Sequence, residues 1–334
     1  MNKNGIAVAG NLVADYVKQV NTFPKPGMLT NILDTSRSVG GSVPNVLIDL
    51  ARMGGDIPLE AIGCVGKDEQ GAFLTAALAA NGIDTSFITP IDTPTSFSDA
   101  ISAADTGERT FFHYRGANAK FAPAHIPLGR VKSRILHIAY LLLLDVFDSA
   151  DAEYCTVMAR FLHDAQQAGY LTSIDCVSDA AGRFEQVVKP ALKYSDYIIL
   201  NEIEGCTVWG LKARDENDKL IRVNIKAALE GFISAGVGKL AVIHCPEAGF
   251  CLDSAGNYTE VPSLRLPKGF VKCSVGAGDA FCAGCLRAIY KGMSAEKMLT
   301  FAAAAAAASL SENDSVSGVK TEAEIWELNA RLRG

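Results

Sequence analysis

Near its C-terminal end the chain reads Cys273-Ser274-Val275-Gly276-Ala277-Gly278-Asp279-Ala280-Phe281. Two glycines one residue apart, an acid directly behind them and a helix-forming stretch beyond form a combination with chemical meaning. A helix N-terminus presents four N–H groups without intrahelical partners and about half a positive charge. Glycines ahead of it let the backbone bend and leave no side chain in the way. The stretch Gly276, Ala277 and Gly278 is therefore suited to hold an anion such as a phosphate in transit. Asp279 stands at the mouth of that hole, where a carboxylate can orient an attacking hydroxyl and accept its proton. The same acid could serve only as the helix N-cap, a role Asp often fills. Four residues leave both readings open.

The elements that must position this motif read as an alternation of strands and helices. GIAVAGN (5–11) is a buried first strand ending in a turn. In 43–55 the apolar residues Val43, Val46, Leu47, Leu50 and Met53 have helical spacing, and Gly54-Gly55 stops the helix. A strand PLEAIGCVG and a helix EQGAFLTAALAANG follow. Further β-type runs, RILHIAYL, YLTSID, SDYIIL and KLAVIHC, alternate with helical stretches at 149–168, 184–193, 202–211 and 220–235, and another helix runs from Asp279 to Tyr290. Apolar strands in β–α alternation imply a mostly parallel central sheet with helices on both faces. The alanine run at 301–310 reads as a packed helix whose small residues admit a close neighbour. Residues 12–36 and 94–117 break the alternation with short β-like pieces and turns. They are expected to form a small sheet of their own that acts as a lid over the site.

Bulk properties narrow the class. With 334 residues, 49% of them hydrophobic, the chain can bury a large core and is read as one α/β domain, 1–334, with the lid as an appendage. A net charge of −6 gives no basic footprint for nucleic acid or an anionic membrane. No apolar run reaches about 18 residues and MNKNGIAVAG lacks a signal-peptide pattern, so a cytoplasmic protein is expected. The nine cysteines sit mostly in apolar runs, as buried reduced thiols would. Cys282 and Cys285 have CxxC spacing but lie within the helix behind Asp279, with no second CxxC or His pair nearby.

Taken with the rest of the chain, GAGD resembles the C-terminal signature of the ribokinase-like (PfkB-type) family of ATP-dependent sugar and nucleoside kinases. A second signature agrees in kind and order: Gly40-Gly41-Ser42-Val43-Pro44-Asn45, then a helix, then Gly63, Gly66, Asp68 and Gly71. The likeness extends to Asp15 after the first strand, to Gly116-Ala117-Asn118, and to Asn201-Glu202-Ile203-Glu204 behind a strand. It covers about residues 5 to 320.

The resemblance implies a ribokinase-like fold and an enzyme that moves the γ-phosphoryl group of ATP to a hydroxymethyl group of a small sugar. A nucleoside kinase with the same mechanism is the alternative, and a non-catalytic ligand-binding regulator a more distant one. By the resemblance Asp279 is the general base, and Gly276, Ala277 and Gly278 are the anion hole. Asn201 and Glu204 match the family's NxxE motif and would hold the magnesium–phosphate assembly, Glu204 through water. Asp15, Gly41 and Asn45 match positions that bind substrate hydroxyls, and Arg115, in the second lid segment, would close over the substrate. His244 and Gly249 fall in the nucleotide loop. A homodimer through the lids is expected, as in several relatives.

Three departures qualify the match. Val13 stands where ribokinase proper has an asparagine that contacts ribose. His244-Cys245-Pro246 replaces a Thr-x-Gly in the nucleotide loop. Cys273 replaces the acid that opens the C-terminal signature and that ligates potassium in many relatives. A neutral thiol is a poor potassium ligand, so Ser274 and carbonyls around 313–318 would have to serve. Potassium dependence is expected to be weak or absent.

Overall fold

The computed structural model describes residues 3–178, 182–312 and 314–333. β1 (Ile6–Ala9) is followed by a hairpin, β2 (Val13–Val20) and β3 (Ile32–Gly40), and by α1 (Ser42–Met53). β4 (Leu59–Gly66), α2 (Glu69–Ala80) and β5 (Asp84–Ile91) precede a second hairpin, β6 (Phe97–Ala103) and β7 (Arg109–Tyr114). β8 (Ile135–Leu141) leads through a two-stranded ribbon, β9 (Ala150–Asp151) and β10 (Cys155–Thr156), to α3 (Val157–Gln167). The alternation resumes with β11 (Leu171–Cys176), α4 (Phe184–Leu192), β12 (Tyr197–Asn201), α5 (Glu202–Thr207) and α6 (Arg222–Ser234). β13 (Leu240–His244), β14 (Ala248–Asp253) and β15 (Tyr258–Pro262) come next, then α7 (Ala277–Tyr290), α8 (Ala295–Ser309) and α9 (Glu322–Leu332).

The central sheet has nine strands in the order β15-β14-β13-β12-β11-β8-β1-β4-β5. Neighbours from β13 to β5 are parallel, and β14 and β15 add an antiparallel edge. Successive strand residues alternate between two cores, the pleat period expected of a sheet covered on both faces. Ile198 and Leu200 join the cluster under α3 to α6, while Ile199 joins the cluster under α1, α2, α7 and α8. The alanine run forms α8, and a Cβ at Gly284 of α7 would come within 2.7 Å of the Ala302 Cα. Small residues bring these two helices together.

The two stretches that broke the alternation pair with each other. They form a separate four-stranded sheet ordered β3-β2-β6-β7, with β2 and β6 parallel and hairpin pairing on either side. β3 runs on to Gly40, past the expected limit at 36, and delivers the chain directly into α1. The helix expected over 149–168 is confined to Val157–Gln167, because the β9/β10 ribbon takes 150–156. Among the described residues no helix is long and apolar enough to cross a membrane, and all nine cysteines are free thiols.

Candidate active site

A cavity of about 220 Å³ opens at the C-terminal ends of β8, β11, β12 and β13. Its lining includes Tyr140, Asp175, Ser178, Asn201, Glu204, His244, Gly276, Gly278, Asp279 and Cys282. Carboxyl ends of parallel strands are where an open α/β sheet leaves a crevice for a ligand.

α7 begins two residues earlier than the sequence predicts, with Gly276 as N-cap in the left-handed region at φ 83°. Only glycine takes that conformation freely, and a Cβ there would lie 2.6 Å from the Ser315 Cβ and carbonyl oxygen. Asp279 is consequently the third residue inside the helix, and its side chain makes no cap. The carboxylate is 5% exposed and bonds to groups from other elements. The Asn45 amide donates to its Oδ2 at 2.8 Å, and the Tyr140 hydroxyl donates to both oxygens at 3.0 Å. Ser315 donates to the Asn45 carbonyl oxygen at 2.9 Å, which fixes that amide with its N–H toward Asp279. Burial pushes the Asp279 pKa up to about 6; the Asn45 bond opposes this, and the Asp175 charge adds to it.

Asn201 and Glu204 form a reciprocal cap on α5. The Asn201 Oδ1 accepts from the Glu204 N–H at 2.8 Å, and Glu204 Oε2 accepts from the Asn201 N–H at 3.1 Å. Glu204 is nonetheless no solvated surface acid. It is 6% exposed, its other oxygen accepts from Ser178 at 2.9 Å, and burial raises its pKa to about 7. Capping and lining the cavity are therefore compatible tasks for the pair. His244 stacks on Phe281 with ring centroids 4.5 Å apart, and burial draws its pKa down to about 4, so the ring is neutral.

Asp15, Gly41 and Asn45 are not among the residues that line this cavity, and of the three Asn45 meets the site directly, through its bond to Asp279. A Cβ at Gly40 would collide with the Asp15 carboxyl, and one at Gly41 would lie 2.5 Å from the Asn11 carbonyl oxygen and 3.0 Å from Val13. Gly41, at φ 80°, caps α1, and Asn45 lies one turn in. Burial raises the Asp15 pKa to about 6, with a Ser98 hydrogen bond opposing it.

Arg115 and Gly249 lie away from the cavity as well. Arg115 is ion-paired with Asp145 and does not line the cavity. Gly249 faces His244 across the β13/β14 pair but is buried beneath Phe281 and Leu299. Cys273 is buried, and its sulfur accepts from the Arg109 guanidinium of β7 and from the Val275 N–H, each at 3.4 Å. Asn313 lies outside the described residues. Sequence reasoning missed Tyr140, Asp175, Ser178 and Ser315. Only Asp175 left a signal, an acid ending an apolar parallel strand.

Comparison with known proteins agrees with this architecture. Residues 3–322 match the family model described as pfkB family carbohydrate kinase. A ribokinase from Haemophilus influenzae is 24% identical over 97% of both chains. A nucleoside kinase from Methanocaldococcus jannaschii is 23% identical over 90% of this chain and 88% of its own. Among solved structures, Arabidopsis thaliana ribokinase complexed with ribose and ATP superposes with a TM-score of 0.79 over 98% of this chain and 99% of that one, at 20% identity.

Proposed function

The chain belongs to the pfkB family of carbohydrate kinases, and we propose that it transfers the γ-phosphoryl group of ATP to a hydroxymethyl group of a small sugar. The observation that carries this reading is the state of Asp279. It sits in the first turn of α7 and does not cap it, while its carboxylate faces the cavity beside Gly276 and Gly278. The Tyr140 hydroxyl donating to it at 3.0 Å has the geometry required of an acceptor hydroxyl. With a pKa of about 6, the carboxylate is ionised at neutral pH yet basic enough to take a proton in the transition state.

Each remaining role rests on position. The α7 N-terminus and the backbone of Gly276, Ala277 and Gly278 offer N–H groups to the transferring phosphoryl group. Asp15 and Asn45, the latter bonded to Asp279, pair with sugar hydroxyls, and Gly41 lets the sugar approach the backbone. Arg115, held by Asp145 outside the cavity, closes over the acceptor from the second hairpin. Neutral His244 stacks on Phe281 beside Gly278 and walls the nucleotide side. Gly249 supports that stack from below, making room for the Phe281 ring.

Magnesium fits this donor set: Glu204 and Asn201 supply hard oxygen atoms on one wall of the cavity. Bound there with the nucleotide, it would neutralise phosphate charge that an acidic protein cannot. Glu204 orients water toward it and is itself oriented by Ser178.

The four-stranded sheet closes over the acceptor as a lid. Its two edge strands leave Ile32, Leu33, Phe111 and Phe112 more than half exposed, and pairing of two lids in a homodimer would cover part of this apolar surface. Tyr16, Phe97 and Tyr114 form an aromatic run on the same sheet, with ring centroids 6.1 and 5.3 Å apart. That run supports a second reading, a nucleoside acceptor whose base stacks there. A coupled ADP-release screen over pentoses, hexoses, keto-acid sugars and nucleosides decides between them. A sugar with kcat/KM at least about a hundredfold above every nucleoside upholds the first reading. The reverse order replaces it with the second, and no turnover on any acceptor overturns both.

A further inference from the structure

One wall of the cavity is built from groups that phosphoryl transfer does not use. His137 of β8 is fully buried, and its Nδ1 meets the Ser173 hydroxyl at 2.9 Å on the adjacent strand β11. Its other nitrogen, Nε2, lies 3.4 Å from Asp175 Oδ2 at the end of β11 and 3.6 Å from the Cys282 sulfur on α7. All three ligand atoms lie within 4.8 Å of one another. Asp175 and Cys282 also line the open cavity.

These spacings can be compared with what a tetrahedral ion demands. Zinc takes sulfur at about 2.3 Å, imidazole nitrogen at about 2.05 Å and carboxylate oxygen at about 2.1 Å. Tetrahedral angles then place nitrogen and oxygen about 3.4 Å apart, and sulfur and nitrogen about 3.6 Å apart. Both edges that meet at His137 already have those lengths.

The surroundings complete the case. With Ser173 accepting from Nδ1–H, the Nε2 lone pair is free for a metal, the arrangement usual for ligating histidines. The Tyr140 backbone N–H binds the other oxygen of Asp175 and leaves Oδ2 turned toward His137. The cavity supplies an open fourth position. A thiol, an imidazole and one carboxylate select a thiophilic ion and discriminate against magnesium. Cys285, its CxxC partner, is not one of the three; the histidine comes from 145 residues away.

We propose that His137, Asp175 and Cys282 form a binding site for a thiophilic divalent cation such as zinc, set in the wall of the phosphoryl-transfer cavity. The site stands independently of which acceptor the enzyme phosphorylates. Cobalt(II) is the probe, because ligation by thiolate gives a charge-transfer absorption band. The parent is the full chain carrying Cys155→Ser, which removes the one exposed thiol. It should develop the band with one equivalent of cobalt, lose it on adding zinc, and keep it in excess magnesium. Cys282→Ala should abolish the band, and His137→Gln should weaken cobalt binding by at least about tenfold. Cys285→Ala, equally buried on the same helix, should leave the band unchanged and so controls for damage to α7. If Cys282→Ala does not fold, Cys282→Ser takes its place with the same expected loss. No band in the parent, a band that survives Cys282→Ala or Cys282→Ser, or affinity indifferent to His137→Gln would overturn the proposal.

Discussion

At the scale of the residue, three largely buried acids are held neutral more easily than in water. Burial puts Glu204 near pKa 7 and Asp279 and Asp15 near 6. Ionised Glu204 is the form that attracts a hydrated cation, so acid works against nucleotide binding. Lowering the pH from about 8 to about 6 should raise the KM for magnesium–ATP by roughly tenfold, the loss of ionised fraction one unit below a pKa of 7. In Glu204→Gln the KM should be high and nearly flat across the same range. A wild-type KM that does not change with pH, measured with free magnesium fixed, would remove Glu204 from the cation's neighbourhood. Asp279, Asn45, Asn201 and Glu204 were legible in the sequence because each belongs to a short contiguous motif. Tyr140 and Ser315 were not, because each meets the site only through tertiary packing. Tyr140 is 139 residues from its partner Asp279.

At the scale of the element, the four-stranded sheet reaches the loop before α7 through Arg109 of β7, which bonds to Cys273. The C-terminal signature that the chain resembles opens with an acid at this position; here a thiol and an adjacent guanidinium stand there, and we expect the place to be unattractive to a cation. Exchanging potassium for tetramethylammonium at constant ionic strength should change kcat/KM by less than about threefold, under roughly 0.7 kcal/mol of transition-state stabilisation. A tenfold rise with potassium would show that carbonyl oxygens alone sustain a site. The closure proposed for the four-stranded sheet has its own signature. Amide hydrogen exchange in β2, β3, β6 and β7 should slow on adding the acceptor sugar, more than in the central sheet. Equal protection with and without sugar argues against closure on that timescale. The strands of this sheet were readable as pieces. Their pairing was not, because β2 and β6 lie parallel across the whole of α1, β4, α2 and β5. The β14 and β15 edge was hidden too, since it follows β13 through the unfamiliar His244-Cys245-Pro246 turn.

At the scale of the whole molecule, the site is a cost to the fold. An acid whose pKa is raised on folding binds its proton more tightly in the native state. Its penalty is absent below the unfolded value near 4, grows as pH rises, and is complete above the folded value. For Asp279 a shift to about 6 corresponds to at most about 3 kcal/mol at pH 8. Asp279→Asn should therefore raise Tm at pH 8, by a few degrees, and lose that advantage by about pH 4. A lower Tm at pH 8 would mean that the ionised carboxylate contributes more through Asn45 and Tyr140 than its burial costs. Local patterns carried the parallel sheet and its two helical layers, since β–α alternation with apolar strands has few other solutions. They could not carry the convergence of β8, β11 and α7, which depends on strand order.

The central claim is that Asp279 takes the acceptor's proton, and its most direct measurement is kcat for purified Asp279→Asn at saturating ATP and acceptor. Asparagine keeps the size and a hydrogen-bonding oxygen but cannot serve as base. The account predicts a kcat at least about a hundredfold below wild type, with ATP affinity, measured by equilibrium binding, nearly unchanged. A variant that retains more than about a third of wild-type kcat would contradict it, and Asp279 would then be a buried structural acid beside a base that lies elsewhere.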